Sequence, residues 1–290
     1  MSTGSQDALS ELLNHLDLES VGSDVYRGLS PHAQNGRIFG GLVFSQAMCA
    51  AMATVTERAP HSAHAYFLRT GNPDLPIEYE VDRIRDGRSF TTRRVVALQE
   101  GEAIFNLSLS CHGDEPSVSH QVDVEIPAEP SGESHEEGIR RGLRGLGIHV
   151  SRDDFGFGAF KILAEGGLDM GDAPARPPEL RCWIRAQGAL PEGSPLHPPL
   201  LAYVSDMTIV MAAYHPLEFG AMSRNVQSAS LDHAIWFHAP FRIDEWLYAV
   251  QDSPVLAGSR CLGRALFYTR DGRLVASAVQ EGLVRYRARA

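Results

Sequence analysis

Cysteine is scarce in this sequence. The four copies, Cys49, Cys111, Cys182 and Cys261, lie far apart in apolar settings, and none forms a Cys-x-x-Cys pair. The expectation is of buried free thiols in a reducing compartment. Positive charge is also short. Twenty-six Lys and Arg face 36 Asp and Glu, a net charge of −10, which argues against a nucleic-acid protein. An anionic ligand would then need a local basic patch. Long hydrophobic runs are missing too. The longest, "FGGLVFSQAMCAAMATV", is interrupted by Ser45 and Gln46 and is short for a membrane span. The opening "MSTGSQDALSELLNHLDLE" is acidic and amphipathic, without the basic region and apolar core of a signal peptide. The closing "ARA" matches no lipidation or peroxisomal tail. A cytoplasmic chain with no membrane or nucleic-acid partner is expected. No Gly-x-Ser-x-Gly occurs, so no nucleophile elbow is supported.

What is present is enough to fold. The 290 residues are 43% hydrophobic, which allows one large domain or two of ordinary size. Internal repetition organises them. "VFSQAMCAAMATV" (43–55) and "YVSDMTIVMAAY" (203–214) are both apolar nearly all round, each with a Ser followed by one polar residue, Gln46 or Asp206. Such a helix is a buried helix. A strand-like segment follows each, "HAYFLR" (64–69) and "HAIWFH" (233–238). Then come two β-type runs around a tight turn: "RSFTTRRVVAL", "QEGE", "AIFNLSLSCH" in the first half, and "SRCLGRALFYT", "RDGR", "LVASAVQEGLV" in the second. Alternation about a Gly turn signals a hairpin. Each half therefore reads as a buried helix wrapped by an antiparallel sheet, and two copies would pair into one sheet. The intervening stretch is rich in Pro, Gly and acid, as in "EIPAEPSGESHEEG" and "GDAPARPPEL". It reads as a linker with a short helix near 136–146 and a possible surface cover. The expected division is 1–112, a linker or insert over 113–178, and 179–290.

Five segments then carry a family resemblance. They are "GRIFGGLVFSQA" (36–47), "HSAHAYFLRTGNPDLPIEYEVDRIRDGRSFTTRRV" (61–95), "LLAYVSDM" (200–207), "SLDHAIWFH" (230–238) and "YTRDGRLVASAVQEGLVR" (268–285). In this order they resemble the acyl-CoA thioesterase II family, the double-hotdog thioesterases. The resemblance implies an α+β fold of two tandem hotdog halves, with the catalytic residues in the second. It implies hydrolysis of fatty acyl-CoA to free acid and CoA, with no acyl-enzyme, no metal and no cofactor. An Asp, a hydroxyl residue and a Gln would position the attacking water, and on this chain they match Asp206, Ser230 and Gln280. Association into a homodimer or homotetramer is implied as well. The chain departs from the family pattern twice. Ser230 stands where many members have Thr, so its hydroxyl is less restricted in χ1. Leu42 stands where many have Gln.

The residue types suit thioester hydrolysis. A carboxylate on an apolar helix is costly unless hydrogen-bonded, and Asp206 is so placed as to serve as a general base. Ser230 and Gln280 supply a hydroxyl and an amide that orient a water. The Gly40–Gly41 turn offers backbone amides for a developing oxyanion. Arg88, Arg93, Arg94, Arg260 and Arg264 are candidates for CoA phosphates, although such residues are more often the wet face of a sheet. Taken singly, Asp206 reads as a structural hydrogen-bond partner and Ser230 as a strand-end hydroxyl.

Other patterns are weaker. Asp232 and His233 suggest a hydrolytic dyad, but adjacent strand residues point to opposite faces. His233 and His238 are split in the same way by odd spacing, as are His61 and His64, so no metal site is expected. His64 and His233 occupy matching places in the repeat, which favours a shared structural role. "GFG" (156–158) lacks the context of a dinucleotide loop. The acidic run 133–137 and Asp172 read as solvated linker. Two other functions remain on the same fold: an enoyl-CoA hydratase, which would need an Asp–His pair, and a non-catalytic acyl-CoA binder, which would be expected to lose the three polar groups.

Overall fold

The computed structural model describes residues 3–30, 37–145 and 158–287. The closing 288–290 and most of the 156–158 stretch lie outside the described residues. The helix from the first apolar segment, α2 (Gly40–Met52), buries ten of its 13 residues, including Leu42, Phe44, Ala47 and Met48. A rod apolar on every side has to be enclosed, and a curled sheet encloses it. The amphipathic α1 (Thr3–Leu16) precedes it and presents Leu9, Leu12 and Leu16 to the core, at helical spacing.

The first half continues through β1 (Glu19–Gly22), β2 (Val25–Gly28), β3 (Ala59–Phe67), β4 (Ile77–Asp86), β5 (Phe90–Gln99) and β6 (Glu102–His112). In β5 buried residues alternate with exposed or half-buried ones along the whole strand, as a sheet with one face on a helix requires. The β5–β6 hairpin turns at Glu100 and Gly101, both with positive φ (50° and 80°), the geometry of a tight primed turn.

The second half contains β7 (Glu133–Ser134), α3 (His135–Gly145), β8 (Phe160–Ala164), β9 (Glu179–Ala186), α4 (His197–Ser205), a 3₁₀ turn (Ile209–Tyr214), β10 (Val226–Ser230), β11 (Asp232–Phe237), β12 (Leu247–Ala257), β13 (Arg260–Thr269) and β14 (Leu274–Tyr286). All strands join one antiparallel sheet. Its order is β1-β2-β4-β5-β6-β3-β11-β14-β13-β12-β9-β8-β7, with β10 also on β14. Read outward from the β3–β11 joint, the two sides follow the same order of equivalents. This is the tandem double-hotdog arrangement.

Three details differ from the sequence reading. First, the stretch 113–178 is not all connection. The short helix expected near 136–146 is α3, but β7 and β8 lie in the stretch too, and β8 pairs with β9 as β1 pairs with β2. Its acidic run is engaged: Glu133 accepts a bond from Arg141, and Glu137 pairs with Arg140 and Arg144. Asp172 accepts from Ser223 Oγ at 2.6 Å. Second, the segment 203–214 is not one helix. The α-helix ends at Ser205, and Met207 and Thr208 bond back to Val204 and Ser205 in i→i−3 fashion. Such a tightening often marks a functional position, and Asp206, the C-cap of α4, lies within it, ahead of the 3₁₀ turn. Third, His64 and His233 are not equivalent. His233 pairs across the joint with Ala65, and His64 with Ala234. A one-residue offset reverses the face, so His233 is buried while His64 is exposed and packs on Trp236.

Candidate active site

Asp206, Ser230 and Gln280 meet, although 24 and 50 residues separate them along the chain. Each arrives on a different element. α4 ends at Asp206, β10 ends at Ser230, and Gln280 lies mid-way along β14. Ser230 Oγ donates to Asp206 Oδ1 at 3.0 Å. Gln280 Nε2 donates to the same Oδ1 and to Ser230 Oγ, the latter at 3.0 Å. A carboxylate only 8% exposed is thus compensated on one oxygen. Gln280 Oε1 is buried and has no partner among the described residues.

The other oxygen, Oδ2, faces the start of α2. It lies 2.9 Å from where a Cβ on Gly40 would sit, and a Cβ on Gly41 would stand 2.5 Å from the Tyr203 carbonyl oxygen. Only glycine permits this approach of α2 to α4. As first-turn residues, Gly40 and Gly41 have amides with no carbonyl four residues back in the helix, and the N-cap residue Phe39 makes no side-chain cap bond. Oδ2 therefore lies close to the first turn of α2. Tyr203 stands beside Asp206, and its phenol is pushed up, by burial first and by the Asp206 charge second.

A local irregularity aims Ser230. β10 pairs Ser230 with Gly282, whereas β11 pairs Ala234 with Val279. The register slips by one residue at Leu231, as in a β-bulge. Ser230 and His233, three apart, consequently both point inward. Asp232 turns away and accepts a bond from the Glu281 amide at 2.7 Å. His238 is exposed and bonds Ser277 Oγ.

Beside the polar cluster lies a cleft of about 400 Å³, between the two halves. Val43, Phe67, Ile104 and Phe105 give it an apolar wall, Gly40 and Ser230 line its polar side, and Arg37 and Arg69 also line it. The five arginines singled out in the sequence do not line it. Arg93 is 1% exposed and is held by Thr54 Oγ1 at 2.7 Å and Asp86 at 2.6 Å. It clamps the end of α2 and is closed to a phosphate, which corrects its phosphate assignment. Arg94 pairs with Asp82, Arg260 with Glu281 and Arg264 with Asp252. Arg88 is exposed at the β4–β5 turn, where its carbonyl accepts from Arg58. Arg37 and Arg69 were passed over, although both stand inside the matched segments "GRIFGG" and "HAYFLR".

Fold and cleft together define a double-hotdog protein with one Asp–Ser–Gln cluster set at the seam of its halves. Comparison with known proteins narrows this. Residues 29–112 match the model of the acyl-CoA thioesterase N-terminal domain, and residues 125–284 that of the acyl-CoA thioesterase C-terminal domain. Acyl-coenzyme A thioesterase 8 of Mus musculus is 36% identical over 288 residues, covering 93% of this chain and 87% of its own. Acyl-CoA thioesterase 2 of Haemophilus influenzae is 31% identical, covering 97% and 99%. The crystal structure of acyl-CoA thioesterase II TesB2 from Mycobacterium marinum superposes with a TM-score of 0.77 at 34% identity, covering 96% of this chain and 99% of that one. The chain belongs to the acyl-CoA thioesterase II family, a family of thioester hydrolases.

Proposed function

We propose that this chain hydrolyses acyl-CoA thioesters by direct attack of a water on the carbonyl carbon. The observation that carries the reading is the convergence of Asp206, Ser230 and Gln280 beside an apolar cleft. Asp206 is the general base. Its Oδ1 is occupied by two donors, so Oδ2 is the oxygen that takes the water's proton. Ser230 and Gln280 fix the carboxylate, and Ser230 also faces the cleft, where it orients the water. As the carbonyl oxygen gains charge, the Gly40 and Gly41 amides receive it. The acyl chain lies along Val43, Phe67 and Phe105. Arg37 and Arg69 receive the phosphates of CoA. The names of the relatives support the substrate class.

The test is CoA release from a series of acyl-CoA substrates, followed with a thiol reagent. Asp206→Asn is expected to keep its fold and lose at least about a hundredfold in kcat. Full activity in that variant would refute the assignment. Association into a dimer or tetramer belongs to the same reading and is checked by sedimentation. A second reading, hydration of an enoyl-CoA, has one observation behind it, an Asp–His proximity of 3.9 Å between Asp206 and His233. Enoyl-CoA offered to the same protein decides between them: loss of the enoyl absorbance without CoA release would favour hydration.

A further inference from the structure

The cleft opens where the central ladder of the sheet stops. β3 and β11 pair in register from Trp236 with Ser62 to Asp232 with Tyr66. The last link at this end is the Phe67 amide on the Leu231 carbonyl, at 2.9 Å. In the same register Ser230 would next face Leu68, and Ser228 would face Thr70. The ladder does not continue. The Leu68 and Arg69 amides both turn to the Ile104 carbonyl, at 2.9 and 3.1 Å. The strands part there, and the segments 68–71 and 228–231 both line the cleft.

This parting leaves one edge of β10 without a strand. Among the described residues β10 pairs with β14 alone. In an antiparallel pair, alternate residues turn both backbone groups to the same neighbour. The Arg287 amide on the Asn225 carbonyl (2.8 Å) and the Leu231 amide on the Glu281 carbonyl (2.9 Å) set the phase. Gln227 and Ala229 therefore bond to β14, while Ser228 and Ser230 turn N–H and C=O toward the gap. Val226 turns the same way, and its amide is taken by the Ser223 carbonyl at 3.0 Å. The side chains of Ser228 and Ser230 are engaged elsewhere, on Tyr214 and on Asp206. A row of main-chain donors and acceptors thus stands beside the polar cluster. Free edges of this kind are ordinarily covered or paired. The first half has the same slip of register, between Pro60 and Ser62. Pro60 takes the place of Ser230 there, and proline has no N–H. Of the two equivalent positions, only Ser230 can donate.

We propose, on the reading of this chain as an acyl-CoA thioesterase, that the free edge of β10 binds the pantetheine arm of CoA as an added strand. The arm is an extended chain with two secondary amides, each a donor and an acceptor. A segment added to a sheet edge is held by main-chain hydrogen bonds of this kind. With the thioester beside Ser230, the amide nearer the sulfur pairs with the Ser230 backbone. The farther amide pairs with Ser228. Arg37 and Arg69 line the same cleft and meet the phosphates beyond the arm. The gap in the ladder is the place of a missing strand, and the substrate fills it.

Two measurements test this. The first uses the unaltered protein. S-acyl-N-acetylcysteamine carries the amide nearer the sulfur, and S-acyl-O-acetyl-mercaptoethanol is its match with an ester oxygen in place of N–H. A net hydrogen bond is worth about three- to tenfold, and the ester is expected to lose that much in kcat/KM. Equal values would overturn the proposal. The second measurement compares S-acyl-pantetheine, which has both amides, with S-acyl-N-acetylcysteamine. The wild type is expected to favour pantetheine about three- to thirtyfold. Ser228→Pro removes the N–H that faces the gap and spares the ladder to β14, and the preference is expected to fall to within about twofold. Ser228→Ala loses the hydroxyl, keeps the N–H and should keep the preference. A Ser228→Pro enzyme with the wild-type preference would overturn the proposal, as would equal loss in both variants. If Ser228→Pro fails to fold, the matched amide and ester still decide. If acyl-CoA is hydrolysed and the amides make no difference, this inference alone fails. If neither acyl-CoA nor the shorter thioesters are hydrolysed, the thioesterase reading fails with it.

Discussion

Gly40→Ala adds a single methyl group where the site has no room for one. The new Cβ would lie 2.7 Å from Phe67 Cε1 and 2.9 Å from Asp206 Oδ2. Ordinary contacts there exceed 3.4 Å, so the carboxylate oxygen has to retreat by about half an ångström, or the Phe67 ring has to turn. Overpacking of this kind costs about 1–3 kcal/mol. The change from Gly to Ala in a helix offsets up to about 1 kcal/mol of that. The net loss of stability is therefore about 0–3 kcal/mol, a fall of up to about ten degrees in Tm for a chain of this size. On the proposed mechanism catalysis suffers as well, because Oδ2 is the oxygen assigned to the water. A displacement of about 1 Å in a reacting group costs about a hundredfold, so half of that costs about tenfold, or about 1.4 kcal/mol of barrier. The assay is CoA release at saturating and limiting substrate, with a thermal melt on the same samples. Gly113→Ala, whose Cβ would meet nothing within 4 Å, is the control and should be silent in both. A Gly40→Ala enzyme with undiminished kcat/KM would refute the assignment of Oδ2 and the α2 N-terminus as the reacting side.

Further outcomes follow from the same geometry. Ser230→Ala removes the hydroxyl that donates to Asp206 and is expected to lower kcat at least about tenfold, whereas Ser230→Thr keeps the hydroxyl and should retain most activity. Arg93→Ala should cost about 2–4 kcal/mol in urea unfolding, by leaving a cavity and unpaired Thr54 groups, with KM unchanged. Arg69→Ala should raise KM for acyl-CoA about three- to tenfold and leave stability within about 0.5 kcal/mol. His135 is buried, and burial holds its imidazole down to about 4. The unfolded chain therefore binds a proton there that the folded chain refuses, between the ordinary histidine value near 6.5 and about 4. Its contribution is fully present above about pH 6.5 and is lost as pH falls through that window, by up to about 3 kcal/mol. Urea melts at neutral and mildly acidic pH should show this loss, and it should shrink in His135→Gln.

The repeat was legible because helix and strand write different periods into a chain. The apolar run of α2 and the alternation of β5 with β6 stand in the sequence itself, as does the Glu100–Gly101 turn. The two-half plan follows from them. Legibility stopped at Asp206. Its apolar neighbours continue past it, so the pattern suggests an unbroken helix, while the backbone tightens there into i→i−3 bonds. It stopped again at Leu231. Strict alternation places Ser230 and His233 on opposite faces, and a one-residue slip in the pairing with β14 brings both inward. The position of the five arginines away from the cleft was hidden for a similar reason. A strand pattern tells which residues share a face but not which face, or which loop, borders the cleft.

The sequence by itself determined the class of fold, the duplication, and the three polar residues that its family resemblance marks. Tertiary structure alone decided how those residues meet. It set Oδ1 of Asp206 against Ser230 and Gln280 and turned Oδ2 toward the first turn of α2. It also buried a histidine behind the carboxylate and made Arg93 a clamp, leaving Arg37 and Arg69 on the cleft. Local pattern follows from burial period, which neighbours along the chain express directly. The site depends on approaches of a few ångströms between segments tens to hundreds of residues apart, and only the closed sheet fixes those.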